Sequence, residues 1–157
     1  MDAYEGYFAD CYVLTDKRTE SFIQEFLDHF VPERRETADE YEVPQYADNP
    51  VENFRTAREA VKFLVENDTV KHSLYWANPV KSELGGAEIF FTDDGYVIIG
   101  LYCETKYPKT DIEDKYFKEI KEFCGSEEGY ITYEDTPPHN SEEFREKIKS
   151  MKAQHRL

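Results

Sequence analysis

Ala87-Glu88-Ile89-Phe90-Phe91-Thr92-Asp93-Asp94-Gly95-Tyr96-Val97-Ile98-Ile99-Gly100-Leu101-Tyr102-Cys103-Glu104 is the stretch that decides the fold. Two apolar runs flank Asp94-Gly95, and a two-residue hairpin turn needs positive φ at both central positions, which Asp and Gly tolerate. The spacing predicts strands over 87–92 and 96–104 joined by that turn. Read as a two-residue loop, it pairs Asp93 with Tyr96, Phe91 with Ile98, Ile89 with Gly100 and Glu88 with Leu101. One face then carries Phe90, Val97, Ile99, Leu101 and Cys103, with Glu88 at its end. The other carries Ile89, Phe91, Ile98 and Tyr102 around Gly100. Both faces are apolar, whereas a sheet wetted on one side alternates cleanly. Helices are expected on the first face, and further helices or a partner, including a second copy of the chain, on the other.

Upstream of the hairpin, Val70, His72, Leu74 and Trp76 alternate and stop at Asn78-Pro79, which predicts a neighbouring strand. Tyr7 to Leu14 is apolar at nearly every position, as in a strand covered on both faces. Ser21 with Gln24 forms a capping-box pattern ahead of a stripe of Phe22, Ile23, Phe26, Leu27 and Phe30, and Pro32 stops that helix. Asn49-Pro50 predicts a second helix start, with Phe54, Ala57, Val61, Leu64 and Val65 inward. Between them, residues 33–48 show no helical stripe and only a weak strand signal at 41–45.

Downstream, Thr110 with Glu113 opens a helix whose stripe is Ile112, Tyr116, Phe117, Ile120 and Phe123, with Gly125 as its stop. Residues 130–134 read as a short strand. Pro137-Pro138 breaks the chain, and Asn140 with Glu143 caps a last helix carrying Phe144, Ile148 and Met151. The expected architecture is α+β: a mostly antiparallel sheet with a central meander over about 70–104, packed by about four helices. The 157 residues suit one globular domain with a long acidic connection at 33–48.

The chain has 34 acids against 19 bases, a net charge of −15, and the acids are unevenly spread. Residues 1–50 hold 13 acids and 4 bases, whereas residues 105–157 hold 12 and 10. A nucleic-acid partner is excluded on this balance, because phosphate neutralisation needs clustered Lys and Arg. No apolar run approaches the roughly 20 residues of a membrane span. Met1 to Glu5 lack the basic and apolar regions of a signal peptide, so the expected location is cytoplasmic. Cys11, Cys103 and Cys124 have neither CxxC nor zinc-knuckle spacing and read as buried, reduced thiols.

Nothing in the motifs composes a recognisable catalytic centre, so the chain does not read as an enzyme. There is no phosphate loop, dinucleotide fingerprint or nucleophile elbow, and no cofactor is expected. His29, His72, His139 and His155 lack metal-ligand spacing, and Thr92-Asp93-Asp94-Gly95 lacks the remaining ligands of a calcium loop. If a site assembles from distant residues, Glu88, His72 and Glu104 are its strand-borne candidates, with Glu88 otherwise a strand-end carboxylate reaching solvent.

The strongest functional signal is the acidic connection. Acids at helix starts gain from the helix dipole, but Glu33, Glu36, Asp39, Glu40, Glu42 and Asp48 lie outside helices and repel one another. Joined by Tyr41 and Tyr46, they read as an electronegative docking surface for a basic protein, one that raises association rate and selects the partner. The expected binding residues are Asp39, Glu40, Tyr41, Glu42, Tyr46 and Asp48, with Trp76 as a rim anchor. The expected function is an acidic binding protein of the immunity or inhibitor type, an analogy of size and charge. The alternatives are a small enzyme with a dispersed site and a homo-oligomer formed through the second hairpin face.

Overall fold

The computed structural model describes residues 8–155, so the expected strand start at Tyr7 and the reading of Met1 to Glu5 lie outside the described residues. In chain order the elements are β1 (Phe8–Thr15), α1 (Glu20–Phe30), β2 (Arg35–Glu36), β3 (Tyr41–Val43), β4 (Glu52–Phe54), α2 (Ala57–Glu66), β5 (His72–Ala77), β6 (Leu84–Phe91), β7 (Val97–Glu104), α3 (Asp111–Cys124), β8 (Gly129–Tyr133) and α4 (Ser141–His155). Six strands form one antiparallel sheet in the order β2-β5-β6-β7-β1-β8, and β3 pairs with β4 in a separate hairpin. The fold is the expected α+β arrangement. Among the described residues, no helix is long and apolar enough to cross a membrane.

The hairpin register differs from expectation by one residue. Phe91 pairs with Val97, Phe90 with Ile98 and Glu88 with Gly100. Thr92 closes the loop: its N–H donates to Tyr96 O at 3.1 Å, and Tyr96 N donates back to Thr92 Oγ1 at 2.8 Å. The loop is therefore Asp93-Asp94-Gly95, with φ of 90° at Gly95. A three-residue loop ending on a positive-φ glycine is the next hairpin geometry after the two-residue turn. Asp94 is drawn out of the turn, accepting from Ser141 N (3.0 Å) and Ser141 Oγ (2.6 Å) at the start of α4. Because side chains alternate along a strand, the slip exchanges every β6 residue between faces.

On one face, Ile89, Phe91, Val97, Ile99, Leu101 and Cys103 form the main core with β1, β5 and helices α1 to α3. On the opposite face, Phe144 of α4 packs on Tyr12, Leu14, Ile98 and Tyr130. Arg145 holds α4 in place through two bonds to the Glu128 carboxylate (2.7 and 3.2 Å) and by lying over the Tyr96 ring. The rest of that second face carries Phe8, Asp10, Tyr75, Glu88, Phe90 and Tyr102, all placed there by the register.

A buried arginine ties the layers together. Arg18, 7% exposed, donates to the carbonyls of Leu64, Asn67, Val70, Thr92 and Tyr96, joining the β1–α1 loop to the end of α2 and the hairpin turn. Its guanidinium also lies over the Phe91 ring, 5.1 Å from the centroid. The fork geometry suits several carbonyls at once, which a single ammonium would not.

Helix starts differ from expectation at three places: at α3 Thr110 holds the cap position, but the expected box with Glu113 does not form, and its hydroxyl donates to Asp114 Oδ2 at 2.7 Å. The cap of α1 is Thr19, whose side chain accepts from Phe22 N, rather than Ser21. Helix α2 begins at Ala57, not at Asn49-Pro50, because the Thr56 side chain caps it: Oγ1 accepts from Glu59 N (3.2 Å) and donates to Glu59 Oε1 (3.1 Å). Residues 52–54 are thereby left to pair as β4. At the other end of the chain, Asn140 Oδ1 caps α4 by accepting from Glu143 N at 2.8 Å, and Gly125 ends α3 in the left-handed region, both as expected.

Candidate functional site

The second sheet face holds a pair of acids that side-chain alternation alone would leave apart. Asp10 lies on β1 and Glu88 on β6, with β7 between them. Neighbouring strands are about 4.8 Å apart, so the two backbones stand roughly 10 Å from one another. Gly100, directly opposite both Tyr12 and Glu88, leaves the space across β7 through which they meet. A Cβ at position 100 would lie 2.9 Å from the Tyr12 ring and 3.2 Å from Glu88 Cγ. Tyr102 lies similarly over Gly86, with its hydroxyl donating to Trp76 O at 3.2 Å.

Asp10 and Glu88 are 6% and 5% exposed, so burial disfavours charge on both. Desolvation, reinforced by the Asp10 charge and by the bond between the two carboxyls, pushes Glu88 up to about 9. Asp10 also rises through desolvation, but it accepts from Glu88 and from the backbone N–H groups of Glu134 and Asp135, which favour its ionised form. Glu88 is therefore the member of the pair that stays protonated at neutral pH. Among the described residues, Glu88 Oε2 has no hydrogen-bond partner. Burial beside this pair also raises the phenols of Tyr12, Tyr75 and Tyr102.

Beside the pair runs a groove of 360 Å³, bounded by the Tyr46 loop on one side and the Pro137-Pro138 turn on the other, with Tyr75 and Phe90 in its wall. Tyr75 and Phe90 meet edge to face at 5.8 Å. Both flanking segments contain a non-glycine residue with positive φ, Tyr46 at 64° and Glu134 at 52°. Sparsely populated backbone of this kind persists only where surrounding contacts hold it. Around Tyr46 those contacts are Tyr46 N donating to Glu42 Oε1 (3.1 Å) and the Gln45 amide bonded to both Ser73 N and Ser73 O, along the part of β5 that β2 leaves unpaired.

The acidic connection is folded. Glu36 Oε1 accepts from Tyr41 Oη and from Ala57 N, each at 2.8 Å, so one acid fixes both the β3 hairpin and the start of α2. Of the expected binding residues, Asp39, Glu40 and Asp48 are exposed, Glu42 is half-buried, and Tyr46 is 80% exposed. Tyr41 and Trp76 are corrections, because they are 4% and 3% exposed and belong to the main core. Tyr41 turns inward because alternation along β3 places it, with Val43, on the packed side. Trp76 floors a 410 Å³ cleft between α1 and α2 rather than standing at a rim.

The three strand-borne catalytic candidates are not brought together. His72 points to the opposite face, where Nε2 is 2.8 Å from Glu42 O and Nδ1 is 3.1 Å from Ser73 O. Glu104 is exposed at the end of β7, opposite Phe8. Glu88 does not reach solvent, and its partner is Asp10, the one acid within the apolar run 8–14 and the sequence signal that would have pointed to it. A second buried acid, Glu113 on α3, accepts from Thr105 Oγ1 and Tyr133 Oη, each at 2.7 Å. It faces the core and not the groove. Cys11, Cys103 and Cys124 are free and buried, as expected, and burial pushes the Cys124 thiol up to about 12. No protein-family model, curated protein or solved structure matches the chain. Its function is therefore read from its own residues.

Proposed function

We propose that this protein is an acidic docking protein whose β3–β4 hairpin engages a basic macromolecule, in the manner of an immunity-type inhibitor. One observation carries the reading. The hairpin lifts Tyr46 and Val51 out of the molecule, 80% and 81% exposed, among Asp39, Glu40, Glu42, Asp48 and Glu52. Large side chains held in solvent on a pinned loop are what an interface buries, and the surrounding acids steer a basic partner toward them. Pinning by Glu42, Gln45 and Glu36 supports the same reading, since a loop ordered before binding loses little entropy on contact. The acids need no helix to stabilise them and gain nothing from being close, so a partner's positive charge is their natural complement.

The test is capture from lysate by the wild type and by Glu40→Gln/Glu42→Gln/Asp48→Asn, from roughly 30 mM to roughly 300 mM salt, a range over which the screening length shortens about threefold. The reading expects one basic protein held stoichiometrically at low salt, released as salt rises, and not held by the neutralised variant. Capture of the same protein by both forms, insensitive to salt, overturns it.

A further inference from the structure

Resting on the docking reading above, we propose that the groove between Tyr46, Tyr75 and Phe90 is a socket for an arginine side chain of the basic partner. The wall supplies aromatic rings and a proline face, on which a planar, weakly hydrated guanidinium stacks better than an ammonium does. Behind that wall lies the Asp10–Glu88 carboxyl pair. Tyr75 is the cross-strand neighbour of Glu88 and lies within electrostatic reach of Glu88, Asp10 and Tyr46. Asp10, whose ionised form the Glu88 bond and two backbone N–H groups favour, stands beyond Glu88 on the same sheet face, and among the described residues Glu88 Oε2, on a side chain 5% exposed, has no hydrogen-bond partner. A charge in such a poorly solvated place is felt across the ring far more strongly than the same charge at the surface.

The groove also has a direction. Lys71, His72 and His139 line it too, but at the hairpin-turn end: His72 pairs with Phe91, Lys71 precedes that pair, and His139 O accepts from Asp93 N at 3.0 Å. Tyr75 lies four residues along the strand from Lys71, about 13 Å away. A cation therefore finds its complement at the Tyr75 end, next to the acidic hairpin, and is repelled from the other. Tyr46 belongs to both features, as the exposed tip of the hairpin and one wall of the socket.

The probe is a blocked Gly-Gly-Arg-Gly-Gly peptide, followed by NMR shifts of the Tyr46, Tyr75 and Phe90 rings. The citrulline peptide, which keeps the planar shape without the charge, is the comparison. The socket expects the arginine peptide to bind about tenfold more tightly than the citrulline one, with shifts centred on those three rings. Tyr75→Leu should lose most of that difference. Tyr46→Ala alters an exposed side chain and leaves the core intact, and should lose it as well, so a folding defect at position 75 cannot decide the matter. Equal binding of the two peptides overturns the socket. So do arginine shifts confined to 39–48 that survive Tyr75→Leu and Tyr46→Ala but vanish in the Glu40/Glu42/Asp48 variant. That last result leaves the acidic docking surface standing, whereas stoichiometric capture that ignores salt and the acidic variant fails the docking reading by itself.

Discussion

Glu88→Gln tests the physical reading of the second sheet face most directly. The wild-type carboxyl keeps its proton in the folded protein up to about pH 9, whereas in the unfolded chain it loses that proton near 4.5. Between those values the folded state binds one more proton than the unfolded state, so folding stability falls as pH rises. The slope is about 1.4 kcal/mol per pH unit, which amounts to about 3 kcal/mol by pH 7 and about 6 kcal/mol by pH 9. Below the unfolded value the loss is absent, and above the folded value it stops growing. Glutamine has the shape of the protonated acid, and its amide can donate to Asp10 in the same way, but it does not titrate. Urea unfolding of both proteins from pH 4.5 to pH 9 should therefore give curves that diverge, with the variant about 3 kcal/mol better at pH 7 than the comparison at pH 4.5 implies. Asp10→Asn removes a secondary cause of the upward shift but leaves desolvation, the largest, so its decline should persist over a narrower window. Parallel curves for wild type and Glu88→Gln would refute the assignment of the proton to Glu88.

Three further outcomes follow from the packing. Arg18→Met should cost roughly 3–5 kcal/mol in urea unfolding, because it removes the donor to the Leu64, Val70 and Thr92 carbonyls near a buried position, and Arg18→Lys should recover little of it. Asp94→Ala removes the carboxylate that holds Ser141, a loss of about 1–2 kcal/mol, and hydrogen exchange should quicken in α4 before it does in α1 to α3. Cys11, Cys103 and Cys124 should stay unreactive toward an aromatic disulfide reagent until the protein unfolds, and one fast equivalent of thiol would contradict their burial.

The layers of the fold were legible because they depend on local signals. The apolar stripes of α1, α3 and α4 and the glycine that ends α3 identify those helices from spacing alone. What failed depended on competition between equally good local signals. Asn49-Pro50 is a sound helix start, but the Thr56 cap lies closer to the first buried turn, at Ala57 and Ala60, and wins. Asp94-Gly95 is a sound two-residue turn, but the Asp94 carboxylate is claimed by Ser141, and Thr92 is the residue whose hydroxyl can close a longer loop. The competing partner in that second case lies in α4, far along the chain.

The one-residue difference in the turn decides the site. With the shorter loop, Glu88 would share a face with Leu101 and Cys103 and point into the core beneath α1 to α3, where a carboxyl would need a partner that those residues do not supply. With the longer loop it faces Gly100, and the missing side chain there opens the way to Asp10 on β1. The acid pair is thus a product of register, not of composition, and no spacing between residues 10 and 88 could announce it. The acidic hairpin is the opposite case. Its charge is visible in the sequence, but which of its aromatics face solvent is set by the alternation that buries Tyr41 and by the Glu42 and Gln45 contacts that hold Tyr46 outward. The two features meet at Tyr46 and Tyr75, where an acidic surface adjoins a wall backed by the buried Asp10–Glu88 carboxyls. Under the proposed docking function, a basic partner drawn in by the first is delivered to the second.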